Sequence, residues 1–524
     1  MTEFIKESVK DSKQRKIVYF NSVLRADYLF KAIDGVATYL YKQGVRKGDS
    51  VIICLPNIPQ GIIALYAINK IGAIANVVHP KIGVDALLKI AKESRTEWIF
   101  TYAMSYREMD KNLEKNGVNA IICNILTYAI GKPAVGKQFR KVEKKGVKVR
   151  FTDALCKPEP IPVETNGADT AIYLHSSGTT GAPKTVILSN YALNELALNI
   201  KNKYFEKTPA AKIGDGMLMI LPLFHGFGLG VCVHLMMYFG HTVMVPAFKG
   251  KSAVRAMRAH KPQLICAVPN MLRKMIATKG FEGEHLNATL KIFVGGDKLD
   301  DTLWEQVNEI LSRYGEGECV QGFGLSETAS VTHINFDRKK GGTVGQPLDN
   351  VQVKIKENGK EVANGEIGDI YICSTSVMDG YLGEEESSLE TDENGKVWLN
   401  TGDRGYLGDD GSLYYKGRRK RMLKIGGVNI FPQEVEDAAN SVKEVTNSCA
   451  VRTVINGKPC IKLLVILNDG VKLNNSIRQK ICDAVRKKIL PYAVPRSVAQ
   501  VSELRLTGMG KTDYRYYEEE ESKK

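Results

Sequence analysis

Short apolar runs alternate with longer amphipathic stretches through the first part of the chain. Ser50-Val-Ile-Ile-Cys-Leu55 has the length of a buried strand, Ile62-Ile-Ala-Leu-Tyr-Ala-Ile-Asn-Lys-Ile71 that of a helix, and Ala75-Asn-Val-Val78 returns to strand length. Strand, helix and strand in that order predict parallel sheets covered by helices, because a parallel connection needs a crossover long enough to hold a helix. Gly44-Val-Arg-Lys-Gly-Asp49 reads as the turn feeding the first buried strand. Ala171 to Leu174 and Val186 to Leu188 predict two more strands, separated by a polar loop.

Between Val344 and Tyr415 the texture becomes short alternating strands with Gly, Asp and Asn turns, such as Val351-Gln-Val-Lys-Ile355 and Ile370-Tyr-Ile-Cys373. That predicts a small antiparallel β unit. After Gly417 come a basic cluster, Arg418-Arg-Lys-Arg421, a Gly426-Gly427 turn, a helix from about Pro432 to Ser441, a strand at Lys462 to Leu467 and a helix from about Ile477 to Leu490. The expected class is therefore α/β. A large N-terminal domain (1–417) of helix-covered parallel sheets carries the antiparallel unit, and a smaller α+β domain (418–524) follows. A chain of 524 residues is too long for one ordinary core.

One stretch invites another reading. From Gly216 to Phe248 there is no Asp, Glu, Lys or Arg, long enough for a membrane span. Pro222, His225, His234, His241 and glycines 216, 226, 228, 230 and 240 break it up. It reads better as a buried strand (Met217 to Leu221), a loop holding His225, a helix (about Leu229 to Tyr238) and another strand (Thr242 to Val245).

The composition is ordinary for a soluble globular protein, with 44% hydrophobic and 25% charged residues. A formal charge of +15 favours polyanionic partners. The basic residues are dispersed, and no aromatic stacking platform lies near the 418–421 cluster, which argues against nucleic acid and for small phosphorylated ligands. Ten scattered cysteines form no C-x-x-C pair and no metal spacing, so they read as reduced core residues of a cytoplasmic protein. The N-terminus lacks the apolar core of a secretory signal.

The most specific chemistry lies in Tyr173-Leu-His-Ser-Ser-Gly-Thr-Thr-Gly-Ala-Pro-Lys184. Gly178 and Gly181 let backbone N–H groups converge on an anion, and Ser176, Ser177, Thr179 and Thr180 add hydroxyls. Pro183 before Lys184 breaks the Walker spacing, so this is not the usual P-loop. Alone, such a stretch also fits a surface turn between two strands.

It is not alone. In order along the chain come Pro222-Leu-Phe-His-Gly-Phe-Gly228, Gly295-Gly-Asp297, Gly322-Phe-Gly-Leu-Ser-Glu-Thr328, Thr401-Gly-Asp-Arg404, Gly417-Arg-Arg-Lys-Arg421 and Gly510-Lys511. Together with the loop, these resemble the adenylate-forming superfamily of acyl-CoA synthetases, adenylation domains and luciferases over nearly the whole chain. The resemblance implies a carboxylic acid:CoA ligase acting through an acyl-adenylate, with ATP, Mg²⁺ and CoA, and a mobile C-terminal lid hinged at Lys420.

It also implies roles. The loop from Ser176 to Lys184 would hold the β- and γ-phosphates, and Glu327, with Thr179, would hold Mg²⁺; Ser326 would line the nucleotide. Gly295, Gly296 and Asp297 would border the adenine edge with Phe323 stacked on its face, where many relatives carry Tyr. Asp403 would accept from the ribose hydroxyls, seconded by Arg418. Lys511 would bridge the carboxylate and the α-phosphate during adenylation. Lys424, Gly426, Gly427 and Asn429 would line the thiol tunnel, Lys424 and Asn429 also touching the adenylate. His225 would guard the entrance between acid and thiol channels, and Phe227 and Gly324 would wall the acid pocket. No Asp stands at an obvious position to pair with an amino group, which tilts the expected acid toward a fatty or aromatic one.

Three departures stand out. Thr185 replaces a glycine common after the loop lysine, Asn190 stands where relatives often have His, and Arg505 takes the place of a common Pro before Thr507. Alternatives are a stand-alone adenylation enzyme that loads a carrier protein, and a non-catalytic binding protein. Retention of Lys184, Glu327, Asp403, Arg418 and Lys511 together weighs against the latter.

Overall fold

The computed structural model describes all residues except 130–148, 177–183, 298, 338–341, 385–387, 426–427, 456–457, 490, 508–511 and 524, and omits the side chains of 107, 108, 428, 429 and 491. Ser177, Gly178, Thr179, Thr180, Gly181, Gly426, Gly427 and Lys511 thus lie outside the described residues, as does the side chain of Asn429.

Two large mixed sheets dominate. The eight-stranded one runs, edge to edge, through Gly380–Tyr381, Thr185–Ser189, Thr170–His175, Ile74–Val77, Ser50–Cys54, Trp98–Tyr102, Asn119–Cys123 and Val149–Arg150. Its last six strands are parallel and its first two antiparallel. The nine-stranded sheet has a parallel centre, from Glu318–Gly324 through Lys291–Val294, Leu264–Ala267, Gly216–Met219 and His241–Met244 to Arg15–Tyr19, and antiparallel pairs at both edges. The central strands are buried on both faces, which is why their sequences are continuous apolar runs rather than alternating ones.

The predicted helix after the first strand is Pro59–Lys70, and every residue in it except Lys70 is buried. Asn57, just before it, joins the sheets: its amide donates to the carbonyls of Leu221 (3.0 Å) and Val245 (3.3 Å), and its carbonyl accepts from the Leu223 N–H (3.0 Å). Strand ends from both sheets are thereby pinned at their carboxyl edges, where open α/β sheets place ligands.

The uncharged stretch is buried in the large core. The strands are Gly216–Met219 and His241–Met244, as the pattern suggests. The helix differs: it begins at Phe227, two residues earlier than expected, as a wide π-type helix to Leu235, then continues as a short α turn, Met236–Phe239. An all-apolar sequence has no polar face from which its start or winding could be read. Among the described residues no helix is long and apolar enough to cross a membrane. All ten cysteines are unpaired, seven of them buried.

The stretch between Val344 and Tyr415 contributes to an antiparallel sheet built on Gln352–Glu357, Gly368–Cys373 and the long strand Val397–Leu407, which pairs with Leu413–Arg418. Beyond it, a second core forms between the helices Pro432–Asn440 and Asn475–Lys488 and a sheet of Val445–Ile455, Lys458–Leu467 and Ser497–Gln500. The C-terminal helix Tyr514–Ser522 packs on this sheet through Glu521, which receives Lys462 (2.7 Å) and the Thr453 hydroxyl (2.9 Å). Part of the acidic run 518–521 is therefore internal rather than a solvated tail.

Arg421 and Glu436 form a buried ion pair against this second core. Glu436 accepts from Arg421 (3.1 Å) and the Ala450 N–H (2.8 Å), while the Arg421 guanidinium lies 3.3 Å from the centre of the Tyr514 ring. Burial pushes the Glu436 carboxyl up to about 7, with Arg421 and the Ala450 N–H pulling the other way. Asp297, from the other side of the chain, also opposes its charge. A carboxyl that holds its proton more tightly folded than unfolded favours the fold most below its ordinary value of 4.5 and loses that contribution as pH rises through about 7. Thermal melts between pH 4.5 and 8 are expected to show the C-terminal core weakening as pH rises through that window, and Glu436→Gln should flatten the dependence. An unchanged slope in the variant would assign the titration elsewhere.

Candidate functional site

The polar loop joins two antiparallel strands, Thr170–His175 and Thr185–Ser189, at the carboxyl end of the parallel strands. Its base is closed by Ser176, whose N–H donates to the Lys184 carbonyl (2.9 Å) and whose hydroxyl accepts from the Lys184 N–H (3.4 Å). Inside the base, His175 contacts Asn76 (2.7 Å) and Thr185 (3.2 Å), and burial lowers its pKa to about 4, so it is neutral at physiological pH. Thr185 therefore supplies a hydroxyl partner that the glycine common at this position lacks. Asn190 caps the far end by donating to the Asn166 carbonyl (2.9 Å).

Lys184 reaches out of this base to Glu384, with which it forms an ion pair, and its ammonium lies 4.6 Å from the centre of the Tyr381 ring. The Tyr381 hydroxyl donates to Glu327 (3.0 Å). Glu327 and Ser326 sit on a 3₁₀ turn, Ser326–Thr328, after the strand Glu318–Gly324 of the other large sheet. The buried Thr328 hydroxyl accepts from the Leu325 N–H (3.0 Å) and so knots the turn. The next residue, Ala329, is forced to φ 59°, ψ −34°, a conformation that strains a side chain with a Cβ.

Gly324 has no room for a side chain: a Cβ there would lie 1.7 Å from the Ser330 carbonyl oxygen. Gly226 has a similar constraint against the Ala329 carbonyl at 2.7 Å, which brings the His225 loop onto the Glu327 turn. Nδ1 of His225 accepts from the Phe227 N–H (3.2 Å). Phe227 is buried, and a Cβ built on Gly295 would sit 3.3 Å from its ring and 3.3 Å from the Gly322 carbonyl. Phe227, Gly295 and Gly322 thus form one wall. Gly296 follows in the left-handed region, at φ 80°, and turns the chain toward Asp297.

Phe323 stands between Tyr415 (ring centres 5.7 Å apart) and His333 (5.9 Å). Asp403 is fully buried and faces Arg418 across paired strands, with Nε 3.0 Å from its carboxylate. That carboxylate is the largest influence holding the Arg418 guanidinium charged, and Glu327 and Tyr381 act on it in the same sense, so Arg418 shares their electrostatic neighbourhood. Of the rest of the basic cluster, Arg419 and Lys420 are exposed, Arg419 pairing with Asp369 (2.6 Å), while Arg421 turns inward to Glu436.

Lys424 is exposed on the ribbon Leu423–Ile425 with Val428–Ile430, opposite Asn429, and Lys420 is exposed in the turn Arg419–Arg421. The loop containing Lys511 is closed at its base by a bridge between Leu506 and Thr512. There Arg505 does what a proline could not: its N–H donates to the Tyr517 hydroxyl (2.7 Å), while its side chain meets Asp513 (3.4 Å) and the Tyr516 ring (4.2 Å).

Sequence reasoning missed Tyr381, Glu384 and Tyr415. None of them belongs to the quoted motifs, and each reaches the site through long-range pairing that no local pattern signals. His79, whose ring lies 4.7 Å from that of Phe224 beside His225, was missed for the same reason. Among the described residues no group of three His, Cys, Asp or Glu side chains forms a metal cage. A single carboxylate such as Glu327 is the donor set suited to Mg²⁺ that takes its remaining oxygens from phosphate and water.

Comparison with known proteins places this arrangement. A sequence profile described as AMP-binding enzyme matches residues 7–382, and one described as AMP-binding enzyme C-terminal domain matches 434–511. The chain belongs to the AMP-binding enzyme family. It is 27% identical to a long-chain-fatty-acid–CoA ligase of Bacillus subtilis over 518 residues, covering 93% of this chain and 88% of the relative. It is also 27% identical, over 496 residues (92% and 91%), to a feruloyl-CoA synthase of Amycolatopsis. Among solved structures, a benzoate CoA ligase from Burkholderia xenovorans superposes with a TM-score of 0.84 at 17% identity over 98% of both chains, which establishes the fold.

Gly324→Ala is expected to displace the Glu327 turn and to lower ATP-dependent turnover by about 100-fold, the scale of a misplacement of about 1 Å. Far-UV circular dichroism would show the remaining fold intact. Near-normal turnover in a folded variant would dissociate the turn from the chemistry.

Proposed function

We propose that the protein is an AMP-forming carboxylic acid:CoA ligase for a fatty or aromatic acid, using ATP and Mg²⁺. The observation that carries this is the convergence of Lys184, Glu327 and the Asp403–Arg418 pair beside the Phe227 wall, at the carboxyl edges of two sheets. Activating an acid brings a carboxylate against a triphosphate, two anions that repel until cations and N–H donors neutralise them. Ser176, Ser177, Gly178, Thr179, Thr180, Gly181 and Lys184 take the terminal phosphates. Glu327, with Thr179, holds Mg²⁺, which spreads the phosphate charge. Asp403 and Arg418 fix the ribose, and Gly295, Gly296, Asp297 and Phe323 frame the adenine.

In the first half-reaction a carboxylate oxygen of the acid forms a bond to the α-phosphorus while the bond to the β-phosphate oxygen breaks, releasing pyrophosphate. Lys511 offsets the charge between the two groups. In the second, the thiol sulfur bonds to the acyl carbon, AMP leaves with the electron pair of the broken C–O bond, and the thiol proton passes to solvent. Residues 418–524 act as a lid hinged near Lys420 that presents Lys511 first and the thiol tunnel at Lys424, Gly426, Gly427 and Asn429 second. His225 gates the passage between acid and thiol. An acid pocket walled by Phe227 and Gly324 suits an apolar chain or ring, and the relatives named for long-chain fatty acids, ferulate and 2-succinylbenzoate span that range. The ten unpaired cysteines agree with a cytoplasmic setting.

Pyrophosphate and AMP release should be measured across fatty, aromatic and amino acids, with and without CoA. Turnover that needs CoA and favours fatty or aromatic acids is expected; activity only with a carrier-protein thiol would replace CoA as acceptor, and silence throughout would refute the ligase. Lys511→Ala should abolish adenylate formation yet keep most thioester formation from supplied acyl-adenylate. Equal loss of both half-reactions would show that the lysine does not serve the first alone.

A further inference from the structure

The segment 378–384 is laced between the two sides of the site. The Met378 N–H donates to the Glu327 carbonyl (2.8 Å), the Asp379 N–H to the Ile187 carbonyl (3.0 Å) and the Leu382 N–H to the Thr185 carbonyl (2.9 Å). Gly380 and Tyr381 pair antiparallel with Ile187 and Val186, so the backbone of Tyr381 is fixed beside the hairpin that ends in Lys184. Its phenol then does two things at once: the hydroxyl donates to the Glu327 carboxylate, and the ring face lies under the Lys184 ammonium. Glu384, three residues on, supplies the carboxylate that Lys184 holds.

We propose that Tyr381 is the positioning residue that sets Lys184 and Glu327 for MgATP, and that Glu384 is a stand-in anion occupying Lys184 until the nucleotide's phosphates displace it. This rests on the assignment of Lys184 and Glu327 to the nucleotide. Without something between them, the Lys184 ammonium would be free to collapse on the Glu327 carboxylate. Tyr381 stands between lysine and glutamate as a spacer that satisfies both, by the ring face for the cation and the O–H for the anion. The Lys184–Glu384 pair is suited to exchange: the two side chains are 43% and 32% exposed, and ion pairs this open to water are weak. A polyphosphate offers several charged oxygens where Glu384 offers one carboxylate, so the lysine transfers to it readily. Glu384 thereby sets a threshold: nucleotide must compete for the lysine.

MgATP affinity, measured by calorimetry without an acid substrate, tests this. Glu384→Gln is expected to tighten binding about two- to fivefold, the range set by one exposed ion pair. In turnover the change should fall on the KM for ATP rather than on kcat. On a Lys184→Ala background the same substitution should do nothing, since its effect runs through the lysine. Tyr381→Phe keeps the ring and loses the hydroxyl, and should weaken MgATP binding about tenfold, the scale of one hydrogen bond to a charged group. Weaker or unchanged binding in Glu384→Gln, persistence of its effect without Lys184, or full affinity in Tyr381→Phe would overturn the proposal. Should Lys184→Ala itself bind MgATP as well as the parent chain, the nucleotide assignment of that lysine fails instead, and the two failures are told apart.

Discussion

The two charged halves of the candidate site belong to different sheets, and the backbone of residues 378–382 ties them together. Lys184 ends a hairpin of the eight-stranded sheet, while Glu327 sits on a turn at the edge of the nine-stranded one. Three backbone hydrogen bonds from one short segment hold both, one on the glutamate's own carbonyl and two on the hairpin strand. Asn57 does the corresponding work deeper in the molecule by accepting and donating between strand ends of the two sheets. Because backbone and buried amide groups must be paired wherever they go, these ties are costly to break. They make the distance between a cation and a carboxylate a property of the fold.

The architecture was legible where periodicity was strong. The apolar runs marked the parallel strands, and the shift to short alternating strands marked the antiparallel unit. The winding of Phe227–Leu235 was not legible, since a segment buried all round carries no amphipathic phase. Nor was the inward turn of Glu521, because a run of glutamates near a chain end looks the same whether or not one of them meets Lys462. The antiparallel edge partner Gly380–Tyr381 is too short to signal a strand by pattern, and it lies about two hundred residues from the strand it joins.

The site divides in the same way. Glycines, hydroxyls, Lys184 and Glu327 were recognisable in the chain because their chemistry is tied to residue type and local order. Their supports were not, since Tyr381 lies 54 residues from the glutamate it touches and nothing in its own neighbourhood distinguishes it from a core tyrosine. The basic cluster illustrates the converse. As sequence it looks like one positive patch, yet the fold sends Arg418, Arg419 and Arg421 to three different carboxylates, on Asp403, Asp369 and Glu436. Three arginines from one four-residue cluster thus reach the long strand Val397–Leu407, the antiparallel sheet and the C-terminal core.

That division has a mechanical consequence. Arg418 is bound to the long strand Val397–Leu407, and Arg421 is bound within the second core, so whatever rotation the C-terminal part undergoes must be absorbed in the residues between them. Arg419 offers a pair exposed on the arginine side, 57% open to solvent, which yields more easily than either neighbour. Lys420 lies at the centre of this span and is exposed. A firm pair on each side of an exposed residue is an arrangement that would confine motion to a few residues, as hinges require. Two arginines held by buried carboxylates thus flank an exposed residue, and it is on this contrast that the proposed hinge at Lys420 rests.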